Sequence, residues 1–138
     1  MREKIFEIMH KEHEALENLL NLLEEQHRYI ASDSLLEMEE CVKKIQSASK
    51  IIAEIEIERR GLLGETSMQV IVNKIGDSKM SDLYKDIRRQ LEALTMQKET
   101  NDLILKQKLS FTNQLLNALK PNNSKRTNVY NSYGKVKR

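Results

Sequence analysis

Met38, Cys41, Ile45, Ala48, Ile52, Ile55, Arg59 and Leu62 follow one another at alternating steps of three and four residues. No proline falls between them, and no glycine before Gly61. A 3.5-residue period sustained over that length fits a helix that keeps one face against a neighbouring helix, and it fits no strand. The segment therefore has to find a partner helix, and the rest of the chain can be searched for one.

The partner lies immediately upstream. Ile5, Met9, Leu16, Leu19, Leu23 and Ile30 form a similar seam, interrupted by Glu12 and Gln26. Ile8, Ala15, Leu22 and Tyr29 widen it, enough to meet two neighbours. Between the two helices stands A-S-D-S, and Ser34 followed by Glu37 has the spacing of a capping box. So short a connection makes the helices antiparallel neighbours, a hairpin over residues 3–63. Cys41 falls on the seam and reads as a small buried hydrophobe. Arg59 also falls on it, and is expected to pack its stem while its head reaches water.

Gly61 and Gly64 close the hairpin. Met68, Ile71, Val72 and Ile75 share one side of a short helix over 67–75. G-D-S-K-M-S-D reads as a loop in which Ser78 or Ser81 caps the next helix. That last helix is expected over 82–119. Tyr84, Ile87, Leu91, Leu94, Lys98, Asn101 and Leu105 form its seam, with Lys98 and Asn101 as polar interruptions. Beyond lie two adjacent apolar rows: Leu105, Leu109, Thr112, Leu116 and Leu119, and beside them Ile104, Phe111, Leu115 and Ala118. Pro121 and the asparagines after it end the helix.

The expected fold is therefore all-α. It is a long antiparallel helical hairpin, a short helix and a long C-terminal helix, with coiled-coil-like packing. The helical domain is expected over 1–119, and 120–138 as a flexible basic tail. In that tail only Val129, Tyr130, Tyr133 and Val136 are apolar, which suits a segment disordered until bound. Composition agrees. Of 138 residues 32% are charged and 39% apolar, with no Trp and two Phe. Such a chain can bury seams between helices but not a thick core. The net charge is +2, but the tail from Lys120 carries +6 and no acid, leaving −4 to the rest.

Several function classes find no support. No apolar run is long enough to span a membrane. A single cysteine allows no internal disulfide, and the acids in M-R-E-K-I-F-E-I do not suit a signal peptide; a cytoplasmic protein is expected. Glu7 with His10, and Glu24 with His27, have the Glu-x-x-His spacing of di-iron bundles, but both lie on one helix, and Glu7, His10 and Glu24 fall on its polar side. No metal, cofactor or catalytic residue is assigned, and the chain does not read as an enzyme. Without a folded recognition element the basic tail does not point to nucleic acid.

Lengths single out the last helix. At about 1.5 Å per residue the hairpin helices are roughly 40 Å long and the last helix roughly 57 Å, an excess of about 15 Å. If the last helix packs from its N-terminal end, the excess is its most apolar part, and an apolar patch without a use is rarely left exposed. It suits helix-in-groove capture of an amphipathic segment. The alternative is a structural coiled-coil adaptor that buries the same stripe against a second copy.

Three stretches resemble the FlgN family of flagellar type III export chaperones. They are L-L-N-L-L-E-E-Q-H-R-Y-I-A-S-D-S-L-L-E-M-E-E, E-I-E-I-E-R-R-G-L-L, and N-D-L-I-L-K-Q-K-L-S-F-T-N-Q-L-L-N-A-L followed by a tail containing S-Y-G. Their order and spacing carry the likeness. It implies a cytoplasmic chaperone for the C-terminal segments of the hook–filament junction proteins, which prevents their premature assembly and hands them to the export gate. The client-binding residues expected are then Asn101, Leu105, Leu109, Phe111, Thr112, Leu115, Leu116 and Leu119. The resemblance also implies that a tail tyrosine, Tyr130 or Tyr133, docks on the gate's cytoplasmic domain.

Overall fold

The computed structural model describes residues 1–120. They form four helices and, among the described residues, no strand: α1 (Arg2–Ala31), α2 (Leu35–Leu63), α3 (Met68–Ile75) and α4 (Ser78–Leu119). The all-α fold read from the periodicities is the fold observed. The basic tail expected over 120–138 lies, from residue 121 on, outside the described residues. The chain divides into two units, Met1–Asp102 and Leu103–Arg138.

In the first unit α1 and α2 form the antiparallel hairpin, and α1 is the central element. Every position of the α2 seam is buried or half-buried, with Cys41, Ala48 and Ile55 the most enclosed. Small side chains recur in this pairing. The Cys41 thiol donates to the Leu22 carbonyl at 3.4 Å, and burial pushes its pKa up. It is an inert packing group rather than a nucleophile. The other side of α1 meets α3 and the first part of α4. Ile5, Met9, Leu16 and Leu23 cluster there with Val72, Met80, Ile87 and Leu94. Val72 brings α3 into this core, with Met68, Ile71 and Ile75 packed against it.

The ends of the helices show where local sequence decides. The α1–α2 turn is a Schellman arrangement: Ser34 N donates to Tyr29 O and Asp33 N to Ile30 O. Asp33 takes the left-handed position at φ 57, which a short polar side chain tolerates better than most. The expected capping box does not form. Ser34 is the N-cap of α2 but its hydroxyl makes no cap bond; it lies 2.9 Å from the Ser32 hydroxyl instead. The expected start of the last helix is also corrected. Helix begins at Ser78, and the cap is Asp77, whose Oδ1 accepts from Lys79 N at 2.8 Å and Met80 N at 3.4 Å. A carboxylate suits helix-end N–H groups in both geometry and charge. Asp77 also pairs with Arg2, and that ion pair, with the Lys79 amide, holds its pKa down.

The seam of α4 differs by one position from expectation. Leu91 and Lys98 are exposed, Lys98 pairing with Asp102 at 2.9 Å. The half-buried positions are Gln90 and Gln97. With Met80, Leu83, Ile87, Leu94 and Asn101 they restore the three–four alternation. Glutamine can occupy this seam because its N–H groups find acceptors: Gln90 Nε2 donates to the His13 carbonyl at 3.0 Å, and Gln97 Nε2 to Asn101 at 3.0 Å.

The two polar breaks in the α1 seam also meet partners. Glu12 lies 3.9 Å from Arg59, so the Arg59 head does not run free to water. Its side chain is 20% exposed and also pairs with Glu56. Gln26 meets Asn101 at 3.0 Å.

Candidate functional site

The sequence of α4 from Leu103 to Leu119 contains no glycine or proline and keeps helical geometry to the end. At 100° per residue, Ile104, Leu105, Leu109, Phe111, Leu115, Leu116, Ala118 and Leu119 fall within about half of the helix circumference. The opposite half holds Lys106, Ser110, Asn113, Gln114 and Asn117. With Leu103 on the polar half and Lys108 on the apolar half as the exceptions, this is the division of a helix that lays one side on something apolar.

These apolar side chains are exposed. Leu109 is 58% exposed, Phe111 65%, Leu115 48%, Leu116 55% and Leu119 73%. Thr112, between them, is exposed too, while Ile104 and Leu105 are half-buried. Leu103, which falls on neither sequence-derived row, is 56% exposed. The signal that could have found it was present, since it stands directly before Ile104; its place near the polar arc kept it out of both rows. Single exposed leucines are ordinary, but a contiguous run on one helix marks an interaction surface.

Asn101 stands apart from this set. It belongs to the first unit and is 2% exposed, the one buried polar residue among those described. Its Nδ2 donates to Leu23 O at 2.8 Å and to Gln26 Oε1 at 3.0 Å. Its Oδ1 accepts from Gln97 Nε2 at 3.0 Å and lies 3.3 Å from His27 Nδ1. Both N–H donors and one lone pair of the amide are thus bonded within the chain, with His27 beside the other. Tyr130 and Tyr133, expected to dock on the export gate, lie outside the described residues.

Elsewhere the chemistry is sparse. Glu7, His10 and Glu24 are exposed and His27 half-buried. Among the described residues no group of three or more His, Cys, Asp or Glu side chains could hold a metal ion. No helix among them is long and apolar enough to cross a membrane. The exposed apolar side of α4 is thus the feature of the described chain that most needs a partner.

Comparison with curated proteins and with solved structures finds no match. The model of one protein family, described as FlgN protein, matches residues 1–138, the whole chain. The helical hairpin, the long last helix with its apolar end and this full-length match agree, and the chain belongs to the FlgN family of flagellar export chaperones.

Proposed function

We propose that the exposed apolar side of α4, through Leu105, Leu109, Phe111, Thr112, Leu115, Leu116 and Leu119, binds the C-terminal amphipathic segments of the hook–filament junction proteins. Bound there, a client segment would hide the apolar surface it uses in assembly, so premature polymerisation is blocked. The chaperone acts in the cytoplasm and delivers the client to the flagellar export gate, with Tyr130 or Tyr133 as the contact to the gate's cytoplasmic domain. The observation that carries this reading is the run of large apolar side chains from Leu109 to Leu119, each about half or more exposed.

The energetics suffice. A client helix that sets four leucine-sized anchors on this surface gains roughly 6–12 kcal/mol gross from burial. Ordering the client and loss of rigid-body freedom offset much of that. What remains supports micromolar binding or better. The test is titration of the full chain with the C-terminal segment of each junction protein. Saturable one-to-one binding that Leu116→Ala weakens supports the reading. Absence of binding, with the chain self-associating through the same residues, replaces it with a structural coiled-coil adaptor.

A further inference from the structure

From Leu103 to Arg138 the sequence contains eight Lys or Arg and no Asp or Glu. All 21 acids lie in Met1–Asp102, against the remaining 15 of the 23 Lys and Arg. The second unit therefore carries +8 and the first −6, which sum to the net +2. The division of charge follows the division into units. The unit that exposes the apolar helix side is wholly cationic.

We propose that the segment this helix receives is an acidic amphipathic helix. Its apolar stripe covers Phe111, Leu115 and Leu116, and Asp and Glu flank that stripe. The inference rests on the client-binding reading and deepens it by giving the client's chemistry. Two other occupants fit less well. A second copy paired through the same stripe would bring Lys106, Lys108 and Lys120 of each chain to one helix pair with no acid from either, and like charges across an interface are costly. An anionic membrane favours helices whose polar side is rich in Lys and Arg. Here the polar side is largely amide and hydroxyl, through Gln107, Ser110, Asn113, Gln114 and Asn117. Lys108, by contrast, falls among the apolar rows, between Ile104 and Phe111 in the helical pattern. Insertion of that side into lipid would carry an ammonium group toward the acyl chains, at a cost. Between two helices the same lysine can pack its stem along the apolar side and carry its head to the rim. Opposite charge on the client raises the association rate and selects against basic helices, while the apolar anchors supply most of the affinity.

The test uses the full chain and two synthetic amphipathic peptides with the same leucine stripe, one flanked by Glu and one by Lys. Expected is binding of the Glu peptide about tenfold or more tighter than the Lys peptide at about 50 mM salt, with the gap closing toward about 500 mM. Lys106→Glu/Lys108→Glu/Lys120→Glu, which lowers the charge of this unit from +8 to +2, should close most of the gap while circular dichroism shows the same helix content. If that variant does not fold, Lys106→Gln/Lys120→Gln should narrow the gap in its place. Equal binding of both peptides, each weakened by Leu116→Ala, overturns the charge selection and leaves the client stripe standing. Binding of neither peptide, nor of the junction segments, removes the client reading together with this one. Tighter binding to vesicles containing anionic lipid than to the Glu peptide overturns the proposal in favour of a membrane surface. Self-association that the Glu peptide does not compete away overturns it in favour of a second copy.

Discussion

Asn101 of α4 donates its side-chain amide to the backbone carbonyl of Leu23 of α1 at 2.8 Å, across 78 residues of sequence. Gln26, Gln97 and His27 complete the shell around it. A slip of α4 by one heptad would bring Leu94 or Lys108 against Gln26 and leave the amide of Asn101 without these partners. A buried amide that is satisfied in one alignment and orphaned in the others selects that alignment, as polar seam residues do in coiled coils. This bond therefore sets the register of α4 on α1 within the first unit.

Truncation of this side chain is the first prediction. Asn101→Ala leaves buried polar partners unmatched and should cost about 1–3 kcal/mol of stability. Urea melts read the loss. Client affinity, measured on folded protein, should be unchanged. A weakened client affinity with an unaltered melt would return Asn101 to the client-binding residues.

The Glu12–Arg59 contact makes a prediction in pH. Burial raises the Glu12 pKa, against the pull of Arg59 and with the push of Glu56. A carboxyl whose folded pKa lies above its unfolded value binds more protons in the folded state, so its contribution to stability falls as pH rises through that window. Glu56 behaves oppositely: the Arg59 hydrogen bond lowers its pKa, so its contribution is lost as pH falls. Glu12→Gln should therefore be neutral to stabilising at pH 7. The difference from the parent protein should shrink below the carboxylate range, where Glu12 is already protonated. Paired melts at pH 7 and pH 4 check it. A variant clearly less stable at pH 7 would mean that the ion pair outweighs the burial of Glu12.

Much of the first unit was legible because seams repeat. The eight positions from Met38 to Leu62 are all buried or half-buried, joined in α2 by Glu56 and Leu63, and the α1 seam and its widening row hold as well. The α4 seam was read one position off at Leu91 and Lys98. Apolarity ranks leucine above glutamine, whereas the fold seats Gln90 and Gln97, whose partners lie on other turns or on α1. The start of α4 was missed for a local reason. Two serines invite a cap, and Asp77, one residue before Ser78 and four before Ser81, has the better acceptor. At the candidate site, the exposed run from Leu109 follows from helix length once α4 packs from its N-terminal end. Asn101 was grouped with it because a polar residue in an apolar pattern reads equally as a contact for a partner or for another part of the same chain. Only the position of Leu23 and Gln26 in space decides between them.

A third prediction separates client capture from delivery. Changing both Tyr130 and Tyr133 to Ala should leave client affinity unchanged while export of the client falls. Titration with the client segment and secretion assays read the two quantities independently. Loss of client binding in the double variant would make the tail part of the client site.

The last prediction contrasts two leucines of one helix. Leu94 is 8% exposed and sits in the core cluster, whereas Leu116 is 55% exposed. Leu94→Ala removes packed methyl groups from a seam that cannot fully collapse, and should cost about 2–5 kcal/mol of stability. Leu116→Ala opens no cavity, so its cost in the free chain should stay within about 0.5 kcal/mol, as for other surface changes. On client binding the order reverses. A leucine near the middle of a buried contact behaves as a hot spot, so Leu116→Ala should lose more than about 1 kcal/mol of affinity. Leu109→Ala should behave like Leu116→Ala, since it is exposed to the same degree. Leu94→Ala, measured where it remains folded, should bind the client as the parent does. Melts and client titrations on the three variants give a two-by-two separation of stability from binding. A large stability loss for Leu116→Ala with unchanged affinity would identify that surface as buried in the working protein, by a second copy or by the chain itself. The client would then have to be sought on another face.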